Sequence, residues 1–151
     1  MKILIIYETY SGGTKTAVEF MAEELIKMNH AVDIIHAIDA KPDSFSKHDL
    51  YIFATPSWLE RDREGQPHIN FIKFMEKFEK ESFENKNIAL MGLGDATYAH
   101  FCGGIDVLMK FLEERGGKIL ASPLKLDSYF MKPEECRKIM KEWISKFTLK
   151  N

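Results

Sequence analysis

Short, unbroken apolar runs alternate along this chain with stretches of helical periodicity, and this alternation constrains the fold more than any other feature. Ile3 to Tyr7 is apolar at every position, which suits a strand buried on both faces and hence a parallel sheet covered by helices. A helix is expected from Thr14 to Met28, with Ala17, Val18, Met21, Ala22, Leu25 and Ile26 on one face. Further strands are expected at Ala31 to Ala37, Leu50 to Ala54 and Ile88 to Leu93, and a fifth from Lys118 to Ala121, interrupted near Pro123. Thr55 to Gln66 reads as a long polar loop, and Pro67 as the first residue of a helix with Ile69, Ile72, Met75 and Phe78 inward. A third helix carries Ile105, Leu108, Phe111 and Leu112 and stops at Gly116; a last one starts at Pro133 with Cys136, Ile139, Met140, Trp143, Ile144 and Phe147 on one face. The pattern predicts an α/β fold: an open, doubly wound, five-stranded parallel sheet with helices on both faces, forming a single domain over residues 1–151.

Composition works by exclusion. The net charge is -2, and Lys and Arg are interleaved with acids rather than gathered into a stripe, which argues against nucleic acid as a partner. No apolar run is long enough to span a bilayer, and the N-terminal run lacks a cleavage site, so a cytoplasmic, non-membrane protein is expected. Cys102 and Cys136 form no CxxC pair and have no His cluster beside them, so neither a metal site nor a disulfide framework is expected.

In open parallel sheets, ligands bind beyond the carboxyl ends of the strands, where strand order reverses. The loops there are the unusual parts of this sequence. Thr9-Tyr10-Ser11-Gly12-Gly13-Thr14 joins a buried strand to a helix N-terminus, a place rich in free N–H groups and hydroxyl donors suited to a phosphate. The same residues also suit an ordinary capped helix start. The loop is neither a Walker A loop nor a GxGxxG turn. Strand three ends in Thr55-Pro56-Ser57-Trp58, and strand four in Gly92-Leu93-Gly94-Asp95-Ala96-Thr97-Tyr98. Each places one large aromatic at the sheet edge, and two such rings suit the faces of a flat heterocycle.

The run Gly92 to Gly104 closely resembles the third flavin loop of flavodoxins, of the short-chain kind. Ser11-Gly12-Gly13-Thr14 is similar to their phosphate loop, and Thr55-Pro56-Ser57-Trp58 to their second loop. The resemblance covers essentially the whole chain. It implies the flavodoxin-like sheet order 2-1-3-4-5 and non-covalently bound FMN. Thr9, Tyr10, Ser11, Gly12, Gly13 and Thr14 would cradle the phosphate, with Thr55 or Ser57 near the ribityl chain. Trp58 would cover the inner face of the isoalloxazine and Tyr98 the outer one, and main chain around Gly94, Asp95, His100 and Cys102 would meet the pyrimidine edge. Pro56, Leu59, Leu93 and Phe101 complete the implied cofactor set, and Cys102 has no redox role of its own. The implied function is low-potential one-electron transfer between a flavodoxin or ferredoxin reductase and electron-accepting enzymes, by a monomer without a substrate of its own. An FMN-dependent NAD(P)H or quinone reductase on the same fold is the alternative; a phospho-acceptor receiver is disfavoured, because strand three ends in Thr55 and not in Asp.

Three features depart from that family's pattern. Gly13 stands where Asn is usual. Leu59 follows Trp58 where many short-chain members have Gly; that peptide turns over on one-electron reduction, a turn that a side chain penalises, so weaker stabilisation of the one-electron-reduced state is expected. The run Glu60-Arg61-Asp62-Arg63-Glu64 carries both charge signs, whereas flavodoxins are typically strongly acidic. Arg61 and Arg63 are expected to pair with neighbours in solvent and contribute little.

Overall fold

The computed structural model describes residues 1–149; the last two positions of the expected 1–151 unit lie outside them. The elements run β1 (Lys2–Tyr7), α1 (Gly13–Lys27), β2 (Ala31–His36), β3 (Leu50–Glu60), β4 (Arg63–Pro67), α2 (Ile69–Lys77), β5 (Asn87–Gly94), α3 (Gly103–Glu113), β6 (Lys118–Ile119), β7 (Leu124–Asp127) and α4 (Pro133–Thr148). Short 3-10 turns occupy Ala37–Asp39 and Pro42–Phe45.

The unbroken apolar runs arise because each strand feeds two cores. Ile3, Ile5 and Tyr7 of β1 face α1 and α4, while Leu4 and Ile6 face α2 and α3. Strand β3 divides in the same way, Leu50, Ile52 and Ala54 to one side and Tyr51 and Phe53 to the other. The α2/α3 core is dominated by Phe45, Phe53, Phe71, Phe74, Phe78 and Phe83, with Phe74 and Phe78 stacked at 4.3 Å. Burying rings of this size supplies most of the hydrophobic stabilisation of that layer.

The parallel sheet runs β2-β1-β3-β5-β6, with β7 also on β5. Taking β6 and β7 as the two halves of the fifth strand, broken around Pro123, and leaving β4 aside, this is the order 2-1-3-4-5. Counting β6 and β7 separately and adding antiparallel β4 on β3, the sheet has seven strands. The largest correction is residues 55–66, expected as a loop. Strand β3 continues through Trp58 to Glu60 and turns back as antiparallel β4. The turn residues Arg61 and Asp62 have φ of 50° and 59°, the geometry of a two-residue hairpin turn. Hairpins of this type normally announce themselves with Asn-Gly or Asp-Gly; Arg-Asp gives no such signal.

Pro67 closes β4 and is not the first residue of a helix; α2 begins at Ile69, with the His68 ring as its cap, accepting from Asn70 N–H at 3.0 Å. Its buried face is Phe71, Phe74 and Phe78, and not the Ile69, Ile72 and Met75 row. The larger rings win the core. Ile26 and Ile139, expected on inner faces, are exposed. Gly116 ends the α3 region with φ of 89°, and Pro133 opens α4.

Candidate functional site

A cleft of about 670 Å³ opens beyond the carboxyl ends of the parallel strands, within the usual range for small-molecule sites. The first, second and third loops all contribute to it, together with the segment after β7.

The first loop reaches the cleft with Thr9, Tyr10, Ser11, Gly13 and Thr14. Gly12 lies just outside the lining, at φ of 91°, a left-handed conformation that suits glycine. Its N–H donates to Thr9 Oγ1 at 3.0 Å, which closes the turn. No side chain caps α1, so the capped-helix alternative does not describe this loop, and the amides of the first helical turn remain available at the positive end of the helix dipole. Thr14 is only 2% exposed and lines the cleft, yet its hydroxyl makes no hydrogen bond to another described residue. Lys15 points outward to Glu19 at 2.8 Å.

The hairpin supplies Pro56, Ser57, Trp58 and Leu59 to the lining. Trp58 is 61% exposed, too open to be a core ring. Thr55 does not reach the cleft: it is fully buried, its hydroxyl donating to Pro56 O at 2.9 Å and accepting from His68 N–H at 3.0 Å. It is a bracket for the hairpin base, because a buried hydroxyl needs these partners. Ser57 Oγ accepts from Gly104 N–H at 2.9 Å and fixes the start of α3 against the hairpin. The hairpin is tied to the first loop through Tyr10, whose ring stacks on His68 at 4.0 Å. The Tyr10 hydroxyl accepts from Ile69 N–H at 3.0 Å and donates to Glu60. Burial pushes the His68 imidazole below its ordinary pKa, favouring the neutral ring that accepts from Asn70.

Leu93, Gly94, Asp95, Tyr98, His100, Phe101 and Cys102 line the third side. Tyr98 is 69% exposed, the second open ring of the cleft. Asp95 is held below its ordinary value, first by the Thr97 hydroxyl at 2.7 Å and then by the Thr97 N–H at 2.9 Å, so it is anionic at neutral pH. Cys102 is a non-glycine residue at φ of 51° and caps α3. Its buried thiol donates to Leu126 O at 3.9 Å, and burial pushes its pKa up to about 12. Such a thiol stays protonated and is inert as a nucleophile.

Sequence reasoning missed Glu64 and Gly65 of β4 and the whole segment Ser128 to Met131. Gly65 carries φ of 65°, and a Cβ there would lie 2.6 Å from His100 Cβ, so only glycine lets the hairpin dock on the third loop. The signal available for Ser128 to Met131 was the adjacent pair Tyr129-Phe130 before Pro133. Tyr129 is buried with its hydroxyl unpartnered among the described residues, whereas Phe130 and Met131 are exposed.

An uncapped helix N-terminus, the Thr14 hydroxyl and two open aromatic rings meet in one cleft of a doubly wound sheet, an arrangement of the mononucleotide-binding class suited to a phosphate at one end and a flat ring system at the other. Among the described residues there is no group of His, Cys, Asp and Glu that could hold a metal ion, and no helix long and apolar enough to cross a membrane.

The flavodoxin family model matches residues 5–143. The flavodoxin of Maridesulfovibrio salexigens is 30% identical over 127 residues, covering 83% of this chain and 86% of that one. Oxidised flavodoxin 2 from Bacillus cereus superposes with a TM-score of 0.88 over the full length of both chains at 23% identity. The Fusobacterium nucleatum flavodoxin bound to flavin mononucleotide gives 0.82 at 22% identity, covering 96% of this chain and 95% of that one. This chain belongs to the flavodoxin family. It is an electron carrier that uses FMN and exchanges electrons with redox partners, not an enzyme with a substrate of its own.

Proposed function

We propose that the Thr9–Thr14 turn holds the FMN phosphate, that Trp58 and Tyr98 stack on the isoalloxazine, and that the protein is a low-potential one-electron carrier. The observation that carries this reading is Thr14: a residue only 2% exposed whose hydroxyl bonds no other described residue, at the wall of a cleft that also holds two exposed rings. A hydroxyl held at a cleft wall with no bond to another described residue is available to a ligand. Thr9 and Ser11 add hydroxyls at the same end, and the Gly13 and Thr14 amides add fixed dipoles. Ser57 lines the same cleft. Backbone around Gly94, Asp95, His100 and Cys102 offers donors and acceptors to the edge of the ring.

When bound, FMN accepts and gives up electrons one at a time, which no side chain in the cleft does. The protein's own residues bind and orient it. The anionic Asp95 and the mixed charges of the hairpin set the local field, and an electron held as negative charge is less favourable beside acids. Arg61 is paired with Glu76 at 2.6 Å, the side chains 56% and 55% exposed, so it offsets little of that field. Leu59 sits at a register shift in the β3–β4 ladder, where its side chain disfavours the turned-over peptide that glycine allows.

The partners in this reading are a flavodoxin or ferredoxin reductase as donor and electron-accepting enzymes as acceptors, met by a cytoplasmic, single-domain monomer. The test is reduction by NADPH under anaerobic conditions. The protein with FMN keeps its oxidised spectrum with NADPH alone and bleaches once a catalytic amount of reductase is added. Rapid bleaching by NADPH alone contradicts the carrier reading and favours an FMN-dependent NAD(P)H or quinone reductase.

A further inference from the structure

The segment Ser128 to Met131 is as firmly built as the three loops already described. Asp127 Oδ1 accepts from Ala96 N–H at 2.9 Å and from the Ser128 hydroxyl at 2.8 Å. Ser128 N–H donates to Gly94 O at 2.9 Å, while Met131 and Lys132 N–H both donate to Ser128 O at 2.9 and 3.1 Å. Tyr129, 5% exposed, plugs the turn into the α1/α4 core. This fixed turn presents Phe130, which is 62% exposed and lines the cleft. The ring lies on the first residue of α1: a Cβ on Gly13 would stand 3.1 Å from Phe130 Cε2. A large apolar ring is thus held, half in solvent, against the backbone that offers N–H groups to a phosphate. Core packing does not account for it.

We propose that Phe130 is a specificity-determining residue that closes the phosphate end of the cleft. A flavin ending in one phosphate stops in front of the ring; a flavin whose chain continues through a second phosphate to an adenosine, as in FAD, meets it. Gly13 is the other half of the device, because a Cβ there would make the ring give by a few tenths of an ångström. The inference rests on the FMN reading of the cleft.

The test is calorimetric titration of the apoprotein with FMN, FAD and riboflavin. Phe130→Ala lowers the preference for FMN over FAD by about tenfold or more, the scale of a lost apolar pocket contact, through tighter FAD binding and with riboflavin affinity unchanged. Phe130→Trp keeps the wild-type preference. Gly13→Ala shifts the preference in the same direction but less than Phe130→Ala, since the ring need give only a few tenths of an ångström, and adds nothing in that background, as expected for residues in contact. If FMN binds but the ratio in Phe130→Ala stays within about twofold of wild type, the scatter of unrelated sites, the assignment of Phe130 is overturned alone. If the wild-type chain binds none of the three flavins, the FMN reading falls with it.

Discussion

The turn from Thr9 to Thr14 and the hairpin from β3 to β4 stand on either side of one cleft and are built differently. The turn is mostly backbone: a left-handed glycine, one Thr9 hydroxyl closing the loop, and an uncapped helix start. The hairpin is mostly side chain: an exposed Trp58, an exposed Leu59, a two-residue turn of non-glycines at positive φ, and charges of both signs. Backbone donors cannot be changed by substitution except through their geometry, so the turn is suited to holding an invariant group such as a phosphate. Side chains can be exchanged one at a time, so the hairpin is where a redox site can be tuned without losing its ligand. Between them lies the Tyr10–His68 stack, which sets their separation.

The contrast breaks most visibly where the hairpin docks. A Cβ on Gly104 would come within 2.8 Å of Pro67 Cα and N, backbone that cannot swing aside. Gly104→Ala is expected to cost about 1–3 kcal/mol, the scale of overpacking, read as a lower urea midpoint; an unchanged midpoint would show that the hairpin base yields. Trp58→Ala leaves stability nearly unchanged, since the ring is exposed, and weakens FMN binding by ~1–3 kcal/mol, the scale of aromatic stacking on a flat base. Calorimetry checks it, and a loss of stability instead of affinity would make Trp58 a structural ring.

The contrast sharpens at Leu59. Leu59→Gly makes the first electron easier to add relative to the second, and each ~1 kcal/mol gained moves that potential by roughly 40 mV. A potentiometric titration with no separation of the two potentials beyond wild type contradicts the role given to Leu59.

The junction itself titrates. Burial lowers the folded pKa of His68, so folding favours the neutral ring. Its contribution is present above the ordinary value of 6.5 and is lost as pH falls through the folded pKa. His68→Asn retains an N-cap acceptor without the titration, so its urea midpoint falls less than that of wild type between neutral and acid pH. Equal falls would place the pH dependence elsewhere, His30 being the other imidazole lowered by burial. The smallest effect is at Arg61: removing its exposed pair with Glu76 changes stability by less than about 0.5 kcal/mol and leaves the flavin potentials where they were.

These differences also explain what could be read in advance. Ile3 to Tyr7 was legible because both faces of β1 are buried, which leaves no polar position to confuse the pattern. Trp58 and Tyr98 were legible because large rings beside Gly, Pro and Asp have no core to enter. The hairpin was not, since Arg61 and Asp62 adopt positive φ without the residues that normally signal it. The buried face of α2 was misassigned because two apolar rows compete there, and ring size rather than spacing decides between them. Thr55 looked like a ligand donor until its hydroxyl was seen engaged with Pro56 and His68. Ser128 to Met131 escaped notice because its role depends on Gly94, Ala96 and Gly13, which are remote in sequence.

The most direct measurement is the visible spectrum of the purified protein, followed by acid release and identification of what comes off. A yellow protein that releases FMN in a one-to-one ratio, and whose apoprotein takes FMN back with loss of flavin fluorescence, is the predicted result. A colourless protein whose apoprotein leaves the fluorescence of added FMN unchanged would contradict the assignment of the cleft.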